Sequence, residues 1–382
     1  MATKISQRIY GLDILRAFAI IFVMVEHGRF LLPVELFPNH QFFFLKLYLD
    51  GVSVFFVLSG FLIGQIILKV FSEKQAGMTT LAEFWMRRWM RTLPNYFFVL
   101  CLLLLLGLVF QSHYTTNGSW KYFLFIQNFS TPHPPFFGEA WSLSIEEWFY
   151  LLLPVLLFAG GKLFGWPIKK ALMAGALLFI LVPLAIRYYR YYTIEVNDIY
   201  TWDLYFRKQV ITRMDSLMTG VLAACCCVYY PRIFNYKKKY FFAAGILLLV
   251  CNKVLEVSHL AEWGIYQTVW MFSVNAVATV FLLPFLYAVK TGRGKLYHII
   301  TTVSVLSYSM YLLNLALVQL WILPRLKLEE LLAVRTVYLV KYGLFWALTL
   351  FLSYLLYTYF EKPVMNLRNR FSLYIKASLY AR

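Results

Sequence analysis

Apolar residues run along this chain in long unbroken stretches rather than alternating with polar ones. Ten such stretches fall near residues 12–32, 48–69, 95–111, 139–159, 171–187, 211–230, 240–256, 268–289, 299–322 and 337–360. Each is roughly 17–25 residues, the length a helix needs to cross a hydrocarbon core of ~30 Å. Strands of a membrane barrel alternate apolar and polar positions over about ten residues, and these stretches do not. In lipid every backbone donor and acceptor needs a partner within its own segment, which leaves helices as the solution. The pattern therefore predicts an all-α integral membrane protein, a bundle of about ten transmembrane helices.

Composition agrees. Of 382 residues, 61% are hydrophobic and 14% charged, against about 25% charged in a soluble domain. The formal net charge of +18 suggests nucleic acid at first sight, but the placement of the cations argues otherwise. With the N-terminus inside, more than half of the 36 Lys and Arg fall in cytoplasmic segments, among them Arg87, Arg88 and Arg91. This obeys the positive-inside rule, places both termini in the cytoplasm and leaves no need for a nucleic-acid partner. The cytoplasmic segments include a loop near 70–94; outer loops are expected near 112–138 and 188–210. The expected organisation is one membrane domain over 1–370 and a short basic tail over 371–382. No leader peptide is expected, because the first apolar run holds Asp13, Arg16, Glu26 and His27. The five cysteines lie in apolar spans without metal or disulfide spacing, and no metal site is expected.

Charges inside spans are costly and each needs a reason. Arg16 and His27 lie eleven residues apart, three turns plus roughly 20°, so they share a face about 16 Å apart. Asp13 is spaced to pair with Arg16. His27 reads either as an imidazole bonded between helices or as a general base or proton relay. The fourth span opens Glu139-Ala-Trp-Ser-Leu-Ser-Ile-Glu-Glu-Trp-Phe-Tyr150. Ser142, Glu146 and Tyr150 line one face, and Glu146 lies roughly 10 Å deep. Glu146 or Glu147 could orient an imidazole, or could be satisfied acids paired with Arg213 or another span. Gly60 and Gly64 form a small-xxx-small packing signal. Arg87, Arg88 and Arg91 read as anchoring cations, with Trp85 and Trp89 at the interface, or as a phosphate clamp.

Taken in order, these residues resemble the membrane acyltransferase-3 family, best known for O-acetylating bacterial polysaccharides. The resemblance is carried by Gly11-Leu-Asp-Ile-Leu-Arg-Ala-Phe-Ala19 ending at His27, Phe55 to Ile63, Arg87-Arg-Trp-Met-Arg-Thr-Leu-Pro94 and Trp141 to Pro154. Arg213 to Gly220, Leu306 to Leu312 and Phe360-Glu-Lys-Pro363 complete it. Asn314 stands where many relatives have His, and Trp148 where relatives often have Gln. No esterase-like outer domain is expected. The resemblance implies a multi-pass protein of the bacterial cytoplasmic membrane, moving an acetyl group from cytoplasmic acetyl-CoA to an outer hydroxyl acceptor such as a glycan. The expected roles are phosphate binding by Arg87, Arg88 and Arg91, with Arg16 further in, and general-base catalysis by His27. Glu146, with Glu147 in reserve, orients His27 or the acceptor, and Ser59 and Ser142 are candidate oxyanion donors. Tyr150 and Arg213 are candidate substrate contacts. Two other readings remain: a relay that hands the acyl group to a separate esterase or transferase outside, and a transporter or flippase.

Overall fold

The computed structural model describes residues 8–33, 35–37, 49–73, 77–110, 118–257 and 263–367. The expected tail over 371–382 lies outside them. Among the described residues every regular element is helical. Ten long helices follow in order: α1 Tyr10–Gly28, α2 Gly51–Glu73, α3 Met78–Val109, α4 Ala140–Phe164 and α5 Ile168–Thr193. Then come α6 Val210–Tyr229, α7 Lys238–Val257, α8 Met271–Ala288, α9 Gly294–Leu313 and α10 Val334–Leu356. Short π segments precede α6 (Asp203–Arg207) and α8 (Tyr266–Trp270), and extend α9 (Asn314–Ile322) and α10 (Tyr357–Glu361).

Eight of these helices, α2 to α6 and α8 to α10, are long and apolar enough to cross a membrane. The first of the ten, α1, carries Asp13, Arg16 and Glu26 within 19 residues.

Two boundaries differ from the sequence expectation. The basic stretch placed in a loop over 70–94 is helical from Met78 and continuous with the third span through Pro94. A proline removes one internal hydrogen bond; the packing of α3 against α4 and the π segment Tyr357–Glu361 carries the helix past it. At 32 residues α3 is about 48 Å long, more than a hydrocarbon core needs, so its arginine-bearing turns extend past the apolar part. The second difference is α5, which runs to Thr193 and takes in Arg187 and Arg190, residues that the expected outer loop began beside or contained.

The described chain forms two compact units. The first draws on 1–69 and 174–307, the second on 70–173 and 308–382. In the first unit α8 packs against α1, α6 and α7. Small residues set the helix spacing there. A Cβ on Gly60 of α2 would lie 1.9 Å from the Leu217 carbonyl oxygen, and one on Gly220 of α6 would lie 2.1 Å from the Val57 oxygen. The two backbones therefore touch at reciprocal glycines, and Gly64 extends the seam toward Ala224. In the second unit α3 packs on α4 and on the π segment Tyr357–Glu361. Helix α4 ends at Gly165, whose φ of 62° only glycine adopts without strain, with Trp166 N–H closing onto the Gly160 carbonyl at 3.0 Å.

Candidate functional site

Each unit holds its own polar cluster. In the first unit one cluster lies at the N-terminal end of α1. The buried carboxylate of Asp13 accepts from Arg8 Nε at 2.6 Å and from Arg16 Nη1 at 3.3 Å. Ser304 on α9 donates to the same carboxylate at 2.8 Å and accepts from Arg8 and Arg16 at 3.2 and 3.3 Å. The pairing of Asp13 with Arg16 is the one their spacing predicts. Arg8 and Ser304 come from outside α1 and leave no periodic signal.

His27 stands half-buried on the last turn of α1, three turns from Arg16 on one unbroken helix. Its neighbour Glu26 is buried and accepts from Arg207 at 3.1 and 3.4 Å. Arg207 also pairs with Asp203 at 3.2 Å and approaches Asp50 at 3.9 Å, while Lys208 meets Asp203 at 2.5 Å. Burial pushes the Asp50 carboxyl up, but Arg207, Arg213 and two hydrogen bonds from Ser53 outweigh it and hold the group below its usual range. Burial likewise pushes the Asp203 carboxyl up, and Arg207 and Lys208 bring it lower than an ordinary aspartate.

Arg213 is fully buried at the start of α6. It donates to Ser53 Oγ at 2.7 Å and lies over the rings of Phe272 and Phe56, 4.2 and 5.5 Å from their centroids. A second buried pair, Arg187 with Asp215 at 2.8 Å, is shared with Ser273. Ser59 is half-buried on α2; the serine of this helix that joins the charge network is Ser53.

In the second unit Arg88, Thr92 and Asn95 repeat at helical spacing along α3 and turn one face inward. Arg88 lies over the Tyr150 ring, 4.2 Å from its centroid, donates to its hydroxyl and pairs with Glu146 at 3.5 Å. Thr92 donates to Glu147 at 2.9 Å. Asn95 and Ser309 both donate to Glu361 at 2.8 Å. Tyr308 donates to the Thr92 carbonyl at 2.7 Å, beside Pro94. Arg87 and Arg91 are exposed, one turn apart, with Glu83 at 4.0 Å from Arg87. The arginine cluster thus divides: Arg88 is enclosed, whereas Arg87 and Arg91 are exposed, Arg91 within electrostatic reach of the buried Glu361 carboxylate.

Ser142 is buried in contact with Tyr311, oxygen to oxygen at 2.7 Å. Asn314 donates to the carbonyls of Met310 and Tyr311 at 2.9 and 2.8 Å. Glu139, just ahead of α4, accepts from the Ala316 N–H at 3.0 Å, inside the π segment where the regular ladder is interrupted.

Sequence reasoning singled out Arg88, Glu146 and Tyr150 in separate roles, and the structure makes them partners. It missed Glu361, Thr92, Asn95, Arg207 and Asp50. The stripe of Arg88, Thr92 and Asn95 was readable once the segment is taken as a helix. Contacts such as Glu26 with Arg207 join positions 181 residues apart and have no local signal.

The family described as an acyltransferase domain matches residues 9–373. An O-acetyltransferase OatA of Staphylococcus aureus is 31% identical over 160 residues, covering 38% of this chain and 24% of the relative. A peptidoglycan O-acetyltransferase OatA of Listeria monocytogenes is 28% identical over 172 residues, 41% of this chain and 25% of that protein. A putative peptidoglycan O-acetyltransferase, YrhL of Bacillus subtilis, is 31% identical over 174 residues, with the same coverage of each. The chain thus spans about a quarter of the length of these relatives. No solved structure matches it.

Proposed function

Because the chain belongs to the acyltransferase-3 family, we propose that it is a membrane O-acetyltransferase that uses acetyl-CoA and acetylates a hydroxyl of a cell-surface or lipid-linked glycan. The names of the relatives make a peptidoglycan sugar the first acceptor to test. In this reading all ten long helices span the bacterial cytoplasmic membrane and both termini are cytoplasmic, as the distribution of Lys and Arg favours.

The observation that carries the reading is α1. One unbroken helix holds a fixed arginine at one end and a half-buried imidazole about 16 Å away. Arg87 and Arg91, exposed and one turn apart, bind the phosphates of the donor; guanidinium groups suit phosphate oxygens. Arg16 binds a phosphate or the pantetheine arm. His27 takes the proton from the acceptor hydroxyl as its oxygen attacks the thioester carbonyl. The carbon–sulfur bond then breaks, and the thiolate leaves with that proton as coenzyme A. A positioned base of this kind supplies ~10²–10⁴-fold. Arg88 and Glu146, paired with each other, hold α3 to α4 and keep Tyr150 in place. Glu147, beside them, is the acid available to the acceptor.

Deleting the gene and weighing the surface glycans tests the function. Loss of acetyl mass from peptidoglycan supports the full reading. Loss from another glycan keeps the acyltransferase and changes the acceptor. An unchanged glycan profile contradicts it, and a covalently acylated form of the protein awaiting a second enzyme points to the relay.

A further inference from the structure

We propose that Arg207 is a positioning residue that fixes the turn bearing His27; this rests on the reading of His27 as the base.

His27 is the next-to-last residue of α1, and past Gly28 the backbone tightens into a short 3-10 turn, Arg29–Leu31; a side chain bonded outside the helix fixes where such an end sits. Adjacent residues on a helix diverge by about 100°, so Glu26 does not share a face with His27. Glu26 acts on its neighbour through the backbone: whatever anchors the Glu26 side chain anchors the turn.

Arg207 supplies the anchor. One of its nitrogens lies 3.1 and 3.4 Å from the two Glu26 oxygens. Another holds Asp203 at 3.2 Å, and Asp50 stands at 3.9 Å. Three carboxylates from three separate segments therefore meet one guanidinium: the end of α1, the residue ahead of α2, and the π segment ahead of α6. Lys208 neutralises part of Asp203, and Arg213, donating to the Arg207 carbonyl at 3.5 Å, brings a third cation for the three acids. The π segment has a role in this. Its wider turn, rare in helices and often found at functional positions, spans Asp203 to Arg207 and presents both ends of an internal ion pair. Removing the guanidinium leaves three carboxylates near one another, with Lys208 and Arg213 among the described cations that offset them. Repulsion then pushes Glu26, and the end of α1 with it, away from Asp203 and Asp50.

The test uses the full chain in nanodiscs, with acetyl-CoA as donor and a peptidoglycan disaccharide-peptide as the acceptor probe. Arg207→Ala is expected to lower kcat about a hundredfold, the scale of an ångström-sized misplacement, with KM for acetyl-CoA unchanged. Arg207→Lys is expected to recover only part of the loss, because the charge remains while the fork that reaches Glu26 and Asp203 with separate nitrogens does not. Carbethoxylation of His27, followed by peptide mapping, should change several-fold in Arg207→Ala, while His298, exposed on α9, reacts as in wild type. Unchanged kcat and unchanged His27 reactivity in Arg207→Ala overturn the proposal. So does equal loss in the Ala and Lys variants with wild-type His27 reactivity. If His27→Ala itself turns over at the wild-type rate, the base assignment fails instead. The reactivity measurement still decides then whether Arg207 positions the turn.

Discussion

The three arginines of α3 meet different surroundings within five positions. Arg88 is enclosed by Tyr150 and Glu146, whereas Arg87 and Arg91 are exposed. Breaking a fully buried ion pair costs about 3–5 kcal/mol because the other charge stays behind, an upper bound for this partly exposed pair. Arg88→Met should therefore lower the thermal unfolding midpoint in detergent strongly, and Arg88→Met with Glu146→Leu should recover much of it. Arg87→Met should leave the midpoint nearly unchanged, Arg91→Met should lower it modestly because the buried Glu361 loses a nearby cation, and both should raise KM for acetyl-CoA about tenfold, on the scale of a charge-assisted hydrogen bond. A KM effect confined to Arg88 would reverse these assignments. Asp50 makes a further residue-scale prediction. Its carboxyl titrates below the usual range when folded, so its ionised form stabilises the fold above about pH 4, and that stabilisation is lost as pH falls through the lowered value. The wild-type unfolding midpoint should drop steeply in that acid window, and Asp50→Asn should flatten the drop. Parallel curves would show that Asp50 contributes nothing there.

At the scale of elements, the crossing of α2 and α6 rests on the absence of two side chains. A methyl on Gly60 would enter the Leu217 carbonyl, and no flexible side-chain end is there to move aside. Gly60→Ala is expected to destabilise by at least the 1–3 kcal/mol typical of overpacking, roughly, or to block insertion. Gly343 on α10 has open space around its Cβ position, so Gly343→Ala should be neutral or stabilise by about 0.5–1 kcal/mol. Comparable midpoints for the two variants would show that the seam is loose. Much at this scale was legible beforehand. The apolar runs located the long helices, and the Gly60 and Gly64 spacing marked a packing seam. The start of α3 was misread because polar, basic residues ahead of a proline look like a loop. Its helical character lies in the inward stripe of Arg88, Thr92 and Asn95, which hydrophobicity alone does not weigh. The π segments were not legible either; in Asn314–Ile322 the Ala316 N–H bonds to Glu139, 177 residues away in sequence.

For the molecule as a whole, ordered motifs along the chain identified the family, and the match over residues 9–373 establishes it. What periodicity missed was the set of partners that satisfy the intramembrane charges. Asp13 to Arg16 is local and was readable; Glu26 to Arg207, Asp215 to Arg187 and Glu361 to Asn95 and Ser309 are not. A charge in a span announces that a partner exists, and only the fold says which one. Topology is open to direct measurement. Single cysteines near residues 165 and 237, introduced into an otherwise cysteine-free chain, should react with a membrane-impermeant reagent only in inverted vesicles; one near 197 should react only in intact cells. The reverse pattern would invert the orientation.

The most direct test of the central claim is acetyl transfer by purified His27→Ala. With radiolabelled acetyl-CoA and a peptidoglycan disaccharide-peptide in nanodiscs, the wild-type chain should label the acceptor sugar. The variant, with an unfolding midpoint close to wild type, should fall by about 10²–10⁴-fold. Labelling by the variant at the wild-type rate would contradict the account.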